Sequence, residues 1–96
     1  SLAYTCSKYG VIGLTRQLAA AYGRDGITVN CVAPSQIMSE TLTENVPKNR
    51  IAALAASNPV GRLAEVEDVA QTIWFLAGDG AAYINGAVID INGGQL

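Results

Sequence analysis

Histidine is absent from this 96-residue sequence, and cysteine occurs only twice. Without an imidazole, histidine-based acid–base and triad chemistry is excluded within these residues. Two isolated thiols and no histidine also argue against a zinc site. Cys6 and Cys31 stand alone, with no C-x-x-C spacing, and read as reduced packing cysteines rather than a disulfide framework. Positive charge is sparse: Lys8, Arg16, Arg24, Lys48, Arg50 and Arg62 are scattered singly, and the formal net charge is −2. No basic patch exists to attract nucleic acid or an acidic membrane. No apolar run approaches the ~20 residues of a membrane span, and no signal-peptide pattern is present. These absences predict a soluble, cytoplasmic protein. Aromatic residues make up only 6% of the chain, so close packing through alanine and glycine is expected rather than a ring-rich β core.

What remains is a globular composition, 50% apolar and 15% charged, with a length that allows one small domain at most. From Ala3 to Tyr22 apolar residues recur at helical spacing, with Val11, Leu14, Leu18, Ala21 and Tyr22 on or near one face. The Gly23-Arg-Asp-Gly26 stretch should end that helix. The β-branched run from Ile27 to Pro34 reads as a buried strand. After Pro34 a loop is expected from Ser35 to Ser39, with Ser39 capping a short helix through Glu44. Pro47 suits the first turn of another helix that runs to about Ser57, where Asn58-Pro59 stops it. Residues 35–64 thus read as a mobile helical insertion. A stronger helix is predicted from Val66 to Ala77, with Glu65, Glu67 and Asp68 at its positive end. The segment from Gly86 to Ile91 is the last strand, closed by a turn at Asn92-Gly93-Gly94. Helix, strand, helical insertion, helix and strand make a βαβ unit with parallel strands. Parallel sheets ordinarily have several members and two covered faces, so the first strand should have a further neighbour. Ser1 is not an initiator methionine, and a chain cut from something longer is expected.

Within the first helix, Tyr4 and Lys8 stand one turn apart on the same side, with Ser7 between them. A cation ~4 Å from a phenol favours phenolate by up to roughly 4 kcal/mol at an effective dielectric of ~20, enough to draw it toward working pH. The pair alone is also what many surface helices carry by chance.

The surrounding landmarks give the pair its context. Tyr4-Thr-Cys-Ser-Lys8, Gly13-Leu-Thr-Arg16, Gly26-Ile-Thr-Val-Asn30, Val32-Ala-Pro34, Gly61-Arg-Leu63, Glu67-Asp-Val-Ala70, Ile84-Asn-Gly86 and Asp90-Ile-Asn-Gly-Gly94 resemble, in order, the carboxyl-terminal half of the short-chain dehydrogenase/reductase family. The resemblance covers essentially the whole chain. It implies an α/β fold, the carboxyl-terminal half of a doubly wound Rossmann-type parallel sheet, with residues 35–64 as a substrate lid. It implies an oxidoreductase that interconverts an alcohol and a carbonyl with NAD or NADP. Tyr4 would be the general acid/base. Lys8 would lower its pKa and hydrogen-bond the nicotinamide ribose. Pro34, Ser35 and Ile37 would border the nicotinamide, and Ser39 would lie near its carboxamide or the pyrophosphate. A small-molecule substrate and a homodimer or homotetramer are the implied partners.

Some residues have plainer roles. Asn30 reads as a structural hydrogen-bonding group, Trp74 as core or interface, and Cys6 as inert packing. Ser35 departs from the family's glycine after the strand proline. The Gly-rich pyrophosphate turn, the catalytic serine and the relay asparagine all precede the tyrosine in the family, so none falls within these residues. The alternative is therefore that the 96-residue chain by itself is a non-catalytic, self-associating module.

Overall fold

The computed structural model describes residues 1–95. Their elements are α1 (Leu2–Tyr22), a 3-10 turn (Gly23–Asp25), β1 (Cys31–Pro34), α2 (Glu40–Asn45), α3 (Lys48–Ser57), α4 (Val66–Leu76), a second 3-10 turn (Asp79–Ala81) and β2 (Val88–Ile91). The expected order of helix, strand, helical insertion, helix and strand is the observed one. The chain divides into two compact units, Ser1–Val32 with Ile73–Ile89, and Ala33–Thr72 with the residues from Asp90 onward.

In the first unit, Ser1 caps α1 by accepting a hydrogen bond from the Tyr4 N–H at 3.1 Å. The face expected to be buried is shifted. Thr15 and Ala19 are buried and Ile12 and Leu18 half-buried, whereas Val11 and Leu14 are exposed. Small side chains admit a closer approach than leucine does. A Cβ added to Gly86, which has φ +77°, would stand 3.4 Å from the Ala19 Cβ. The Thr15 hydroxyl is satisfied within the helix, donating to the Val11 carbonyl at 2.7 Å. The left-handed residue that ends this stretch is Gly26, after the 3-10 turn, rather than Gly23.

Both strands are shorter than the sequence suggests, and one cause explains both. Around the expected start of each strand one backbone bond remains, from the Gly86 N–H to the Val29 carbonyl at 2.8 Å, and asparagine side chains interrupt the ladder beside it. The Val29 N–H donates to Asn85 Oδ1 at 2.9 Å, and Asn85 Nδ2 donates to the Ala19 carbonyl at 3.0 Å. Asn30 Nδ2 donates to the Ile84 carbonyl at 3.0 Å, and its Oδ1 accepts from the Ala87 N–H at 3.0 Å. Residues 27–30 and 86–87 are therefore held without forming regular strand. The ladder begins where the Cys31 N–H donates to the Ala87 carbonyl, 2.9 Å. Within the second unit the Ser35 N–H donates to the Ile91 carbonyl at 3.0 Å, the same offset further along, so β1 and β2 run parallel. β1 is half-buried rather than fully buried.

In the second unit, Ser39 caps α2 as expected, its Oγ accepting from the Leu42 N–H at 3.2 Å. Pro47 sits at the cap of α3, just before its first turn, and its carbonyl accepts from the Arg50 and Ile51 N–H groups. Asn58 leaves α3 in extended backbone, the conformation favoured before Pro59. Its buried amide then ties the chain's closing turn. Nδ2 donates to the Asn92 carbonyl at 3.0 Å, and Oδ1 accepts from the Val60 N–H at 2.9 Å. Gly93, at φ +62°, passes so close that an added Cβ would collide with this amide. Replacing Gly93 with alanine adds left-handed strain to that collision, and we expect it to lower stability by about 1–3 kcal/mol. Urea unfolding followed by circular dichroism measures this; an unchanged midpoint would show the contact to be unimportant.

Candidate functional site

The six residues singled out by the sequence fall in different units. Tyr4 and Lys8 belong to the first, and Pro34, Ser35, Ile37 and Ser39 to the second.

Helical geometry brings Tyr4 and Lys8 together. Both lie in the first two turns of α1, both are exposed, and the Lys8 Nζ stands over the Tyr4 ring, 5.2 Å from its centroid. The ammonium thus rests on the ring face. The phenol group is open to solvent, with the tyrosine 61% exposed. Ser7, between the two, is exposed as well. Its Oγ donates to the Tyr4 backbone carbonyl at 2.7 Å, a local helical bond that removes it from the site. Cys6 is exposed and unpaired by any disulfide.

In the second unit, Pro34 ends β1 and is exposed, and Ser35 follows half-buried with its N–H held by the Ile91 carbonyl. Ile37 forms an isolated parallel bridge with Ala64, in which the Met38 N–H donates to the Ala64 carbonyl at 2.8 Å. In extended chain successive amides alternate sides, so this bond turns the Ile37 N–H away from Ala64. Ser39 is exposed; its Oγ accepts the α2 capping bond, which leaves the hydroxyl proton free to donate. Met38, Leu42, Val46, Ile51 and Leu54, the apolar residues of the 35–64 segment, are each half-buried.

A cavity opens in each unit. The first, about 1050 Å³, is lined by Ile27, Val32, Ile73, Leu76, Tyr83 and Asn85 among others. The second, about 370 Å³, includes Ser35, Asn58, Arg62, Asp68, Asp90 and Asn92. Of the six candidates only Ser35 lines either cavity. No group of three or more metal-ligating side chains occurs among the described residues, and none of their helices is long and apolar enough to cross a membrane.

Sequence reasoning missed the organisation around the second cavity. Arg62 forms a forked ion pair with Asp68, Nη1 to Oδ2 at 2.7 Å and Nη2 to Oδ1 at 3.1 Å. Asp68 Oδ2 also accepts from the Glu65 N–H at 2.7 Å, so the third residue of α4 reaches back to cap its own helix. The Gly61-Arg-Leu63 and Glu67-Asp-Val-Ala70 stretches were visible, and an arginine six residues before a first-turn aspartate is a cue for such a clasp. Of the two places expected for Trp74, core or interface, the first is excluded: it is 82% exposed on α4.

Arg62's hydrogen bonds, then the Glu65 N–H, hold the Asp68 carboxyl at about 2, well below the usual carboxylate range. A depressed carboxylate stabilises the fold above the unfolded pKa of ~3.9, and that contribution is lost as pH falls through the folded value. Stability should therefore fall between about pH 4 and pH 2, and Asp68→Asn should flatten this part of the profile relative to the unsubstituted protein. Chemical denaturation across pH 2–6 checks the difference; parallel profiles would remove the pair from the account.

A family model described as enoyl-(acyl carrier protein) reductase matches residues 1–95. A short-chain type dehydrogenase/reductase of Sinorhizobium fredii is 41% identical over 93 residues, covering 97% of this chain and 37% of the relative. The chain belongs to the short-chain dehydrogenase/reductase family. The 3-oxoacyl-[acyl-carrier-protein] reductase of Pseudomonas aeruginosa is 44% identical over 92 residues, 96% of this chain and 37% of that protein. Among solved structures, a candidate 2-deoxy-D-gluconate 3-dehydrogenase of Agrobacterium tumefaciens, crystallised with NADP, matches with a TM-score of 0.83 and 36% identity, over 95% of this chain and 37% of that one. The short-chain dehydrogenase/reductase chain described here thus spans little more than a third of the length of these relatives. Its fold is α/β of the Rossmann type, with helices and a parallel two-stranded sheet.

Proposed function

We propose that the enzyme carrying residues 1–96 is an oxidoreductase that interconverts an alcohol and a carbonyl with NAD or NADP, and that Tyr4 is its general acid/base. The observation that carries this reading is an exposed tyrosine and lysine, ring and ammonium in contact, at the start of a helix in a chain matched throughout by the family model. In reduction the Tyr4 hydroxyl gives its proton to the carbonyl oxygen; in oxidation the phenolate takes the proton of the alcohol. The Lys8 ammonium, held over the ring of Tyr4, keeps a cation beside the group that exchanges the proton. The nicotinamide, when bound, supplies or accepts the hydride.

The residues present suit that cofactor. Lys8 has N–H groups that would suit a ribose diol, the Ile37 N–H is not used by its own bridge, and Ser39 retains a hydroxyl proton. Pro34 and Ser35 would border the ring, and residues 35–64, carrying α2 and α3, would be the substrate lid. The family model's description names an enoyl reductase, whereas relatives include a 3-oxoacyl reductase and a cis-4-hydroxycyclohexanecarboxylate dehydrogenase. The alcohol–carbonyl reading follows the latter two, because a positioned phenol serves an oxygen that gains or loses a proton. In the intact enzyme, Tyr4→Phe should lower kcat by about 10²–10⁴ while the variant remains folded. Nicotinamide absorbance during turnover measures it, and a loss of only a few-fold would refute the proton-transfer role.

The burial pattern favours a second reading for residues 1–96 alone. Among the described residues the buried apolar side chains are only Ala19, Leu63 and Ala81, while Leu14, Trp74, Phe75 and Tyr83 are exposed. Such a surface asks for cover. The isolated 96-residue chain is accordingly inactive and self-associating, and the intact enzyme a homo-oligomer, dimer or tetramer. Sedimentation of the isolated chain at micromolar concentration should show species larger than a monomer; a monomeric profile would contradict this.

A further inference from the structure

The contact between Tyr4 and Lys8 has a second use beyond the hydroxyl chemistry. We propose that the aromatic ring of Tyr4 positions the Lys8 ammonium for a cofactor diol, a role separable from that of the phenol proton and resting on the cofactor reading above. The Nζ lies over the ring at 5.2 Å from its centroid, within the range of a cation–π contact. Helical side chains lean toward the amino terminus, so a lysine four residues on reaches back over the tyrosine.

Nothing else on the helix competes for that cation. α1 contains no aspartate or glutamate, and the one ion pair among the described residues joins Arg62 to Asp68. A carboxylate partner would cancel the lysine charge and occupy its N–H groups. A ring face does neither. It restricts a long, exposed side chain with many rotamers to one side of the helix, keeps its full charge, and leaves the outward N–H groups free for hydroxyl acceptors.

The ring and the hydroxyl separate by substitution. Tyr4→Phe keeps the ring and Tyr4→Leu removes it, while leucine is no worse a helix former than phenylalanine. Calorimetric titration of the intact enzyme with NAD and with NADP should show Tyr4→Phe binding the preferred nucleotide as tightly as the unsubstituted protein. Tyr4→Leu should bind it about two- to five-fold more weakly, the range of an exposed cation–π contact. In a Lys8→Met background the gap between the phenylalanine and leucine variants should close. Equal binding by Tyr4→Phe and Tyr4→Leu would overturn the proposal. So would a gap that persists undiminished without the lysine, because the ring would then act on the nucleotide directly. Turnover of Tyr4→Phe tests the proton role and nucleotide affinity of Tyr4→Leu tests the ring, so either role can fail alone. Failure of the unsubstituted enzyme to bind either nucleotide would overturn both.

Discussion

The first unit depends on two side-chain amides. Asn30 and Asn85 each bond a segment more than fifty residues away in sequence, and each uses both its carbonyl and its amino group. Together they join the end of α1, the lead into β1 and the lead into β2. A backbone ladder would bind two of these three segments, but an asparagine side chain can serve a donor and an acceptor on different segments at once. The cost appears as lost regularity, for the strands begin late on both sides. The gain is that helix α1 is anchored near Ala19 through its backbone, where small residues permit approach, and is not buried along its length.

The second unit uses the same device with a steric partner. Asn58 gathers the turn after α3 and the closing turn, and Gly93 is the residue that makes room for it. Beside it the Arg62–Asp68 pair links the same turn to the beginning of α4. Since the pair is partly exposed, solvent screens its attraction. Its value lies as much in capping α4 and orienting the chain as in charge energy.

Periodicity and punctuation made the element order legible. Ser39, Pro47 and Asn58-Pro59 mark boundaries through backbone chemistry that acts within a few residues, and each is at or within one residue of its expected place. What escaped were effects fixed by partners far along the chain. Nothing local to Ile27-Thr-Val-Asn30 says that the Val29 N–H will be taken by the Asn85 side chain. Nothing local to Leu14 says that Thr15 will be buried in its place. The candidate site divides in the same way. The spacing of Tyr4 and Lys8 follows from the helix alone, whereas the alternation that turns the Ile37 N–H outward depends on a bridge to Ala64.

Helix pitch is the ruler that sets the phenol beside the ammonium. Each residue of an α-helix advances the side chain by about 100° around the axis, so four residues return nearly to the starting direction. One residue inserted or deleted between Tyr4 and Lys8 would swing the lysine to another flank while hardly altering the helix itself. The pair is therefore insensitive to what Thr5, Cys6 and Ser7 are, and highly sensitive to how many of them there are.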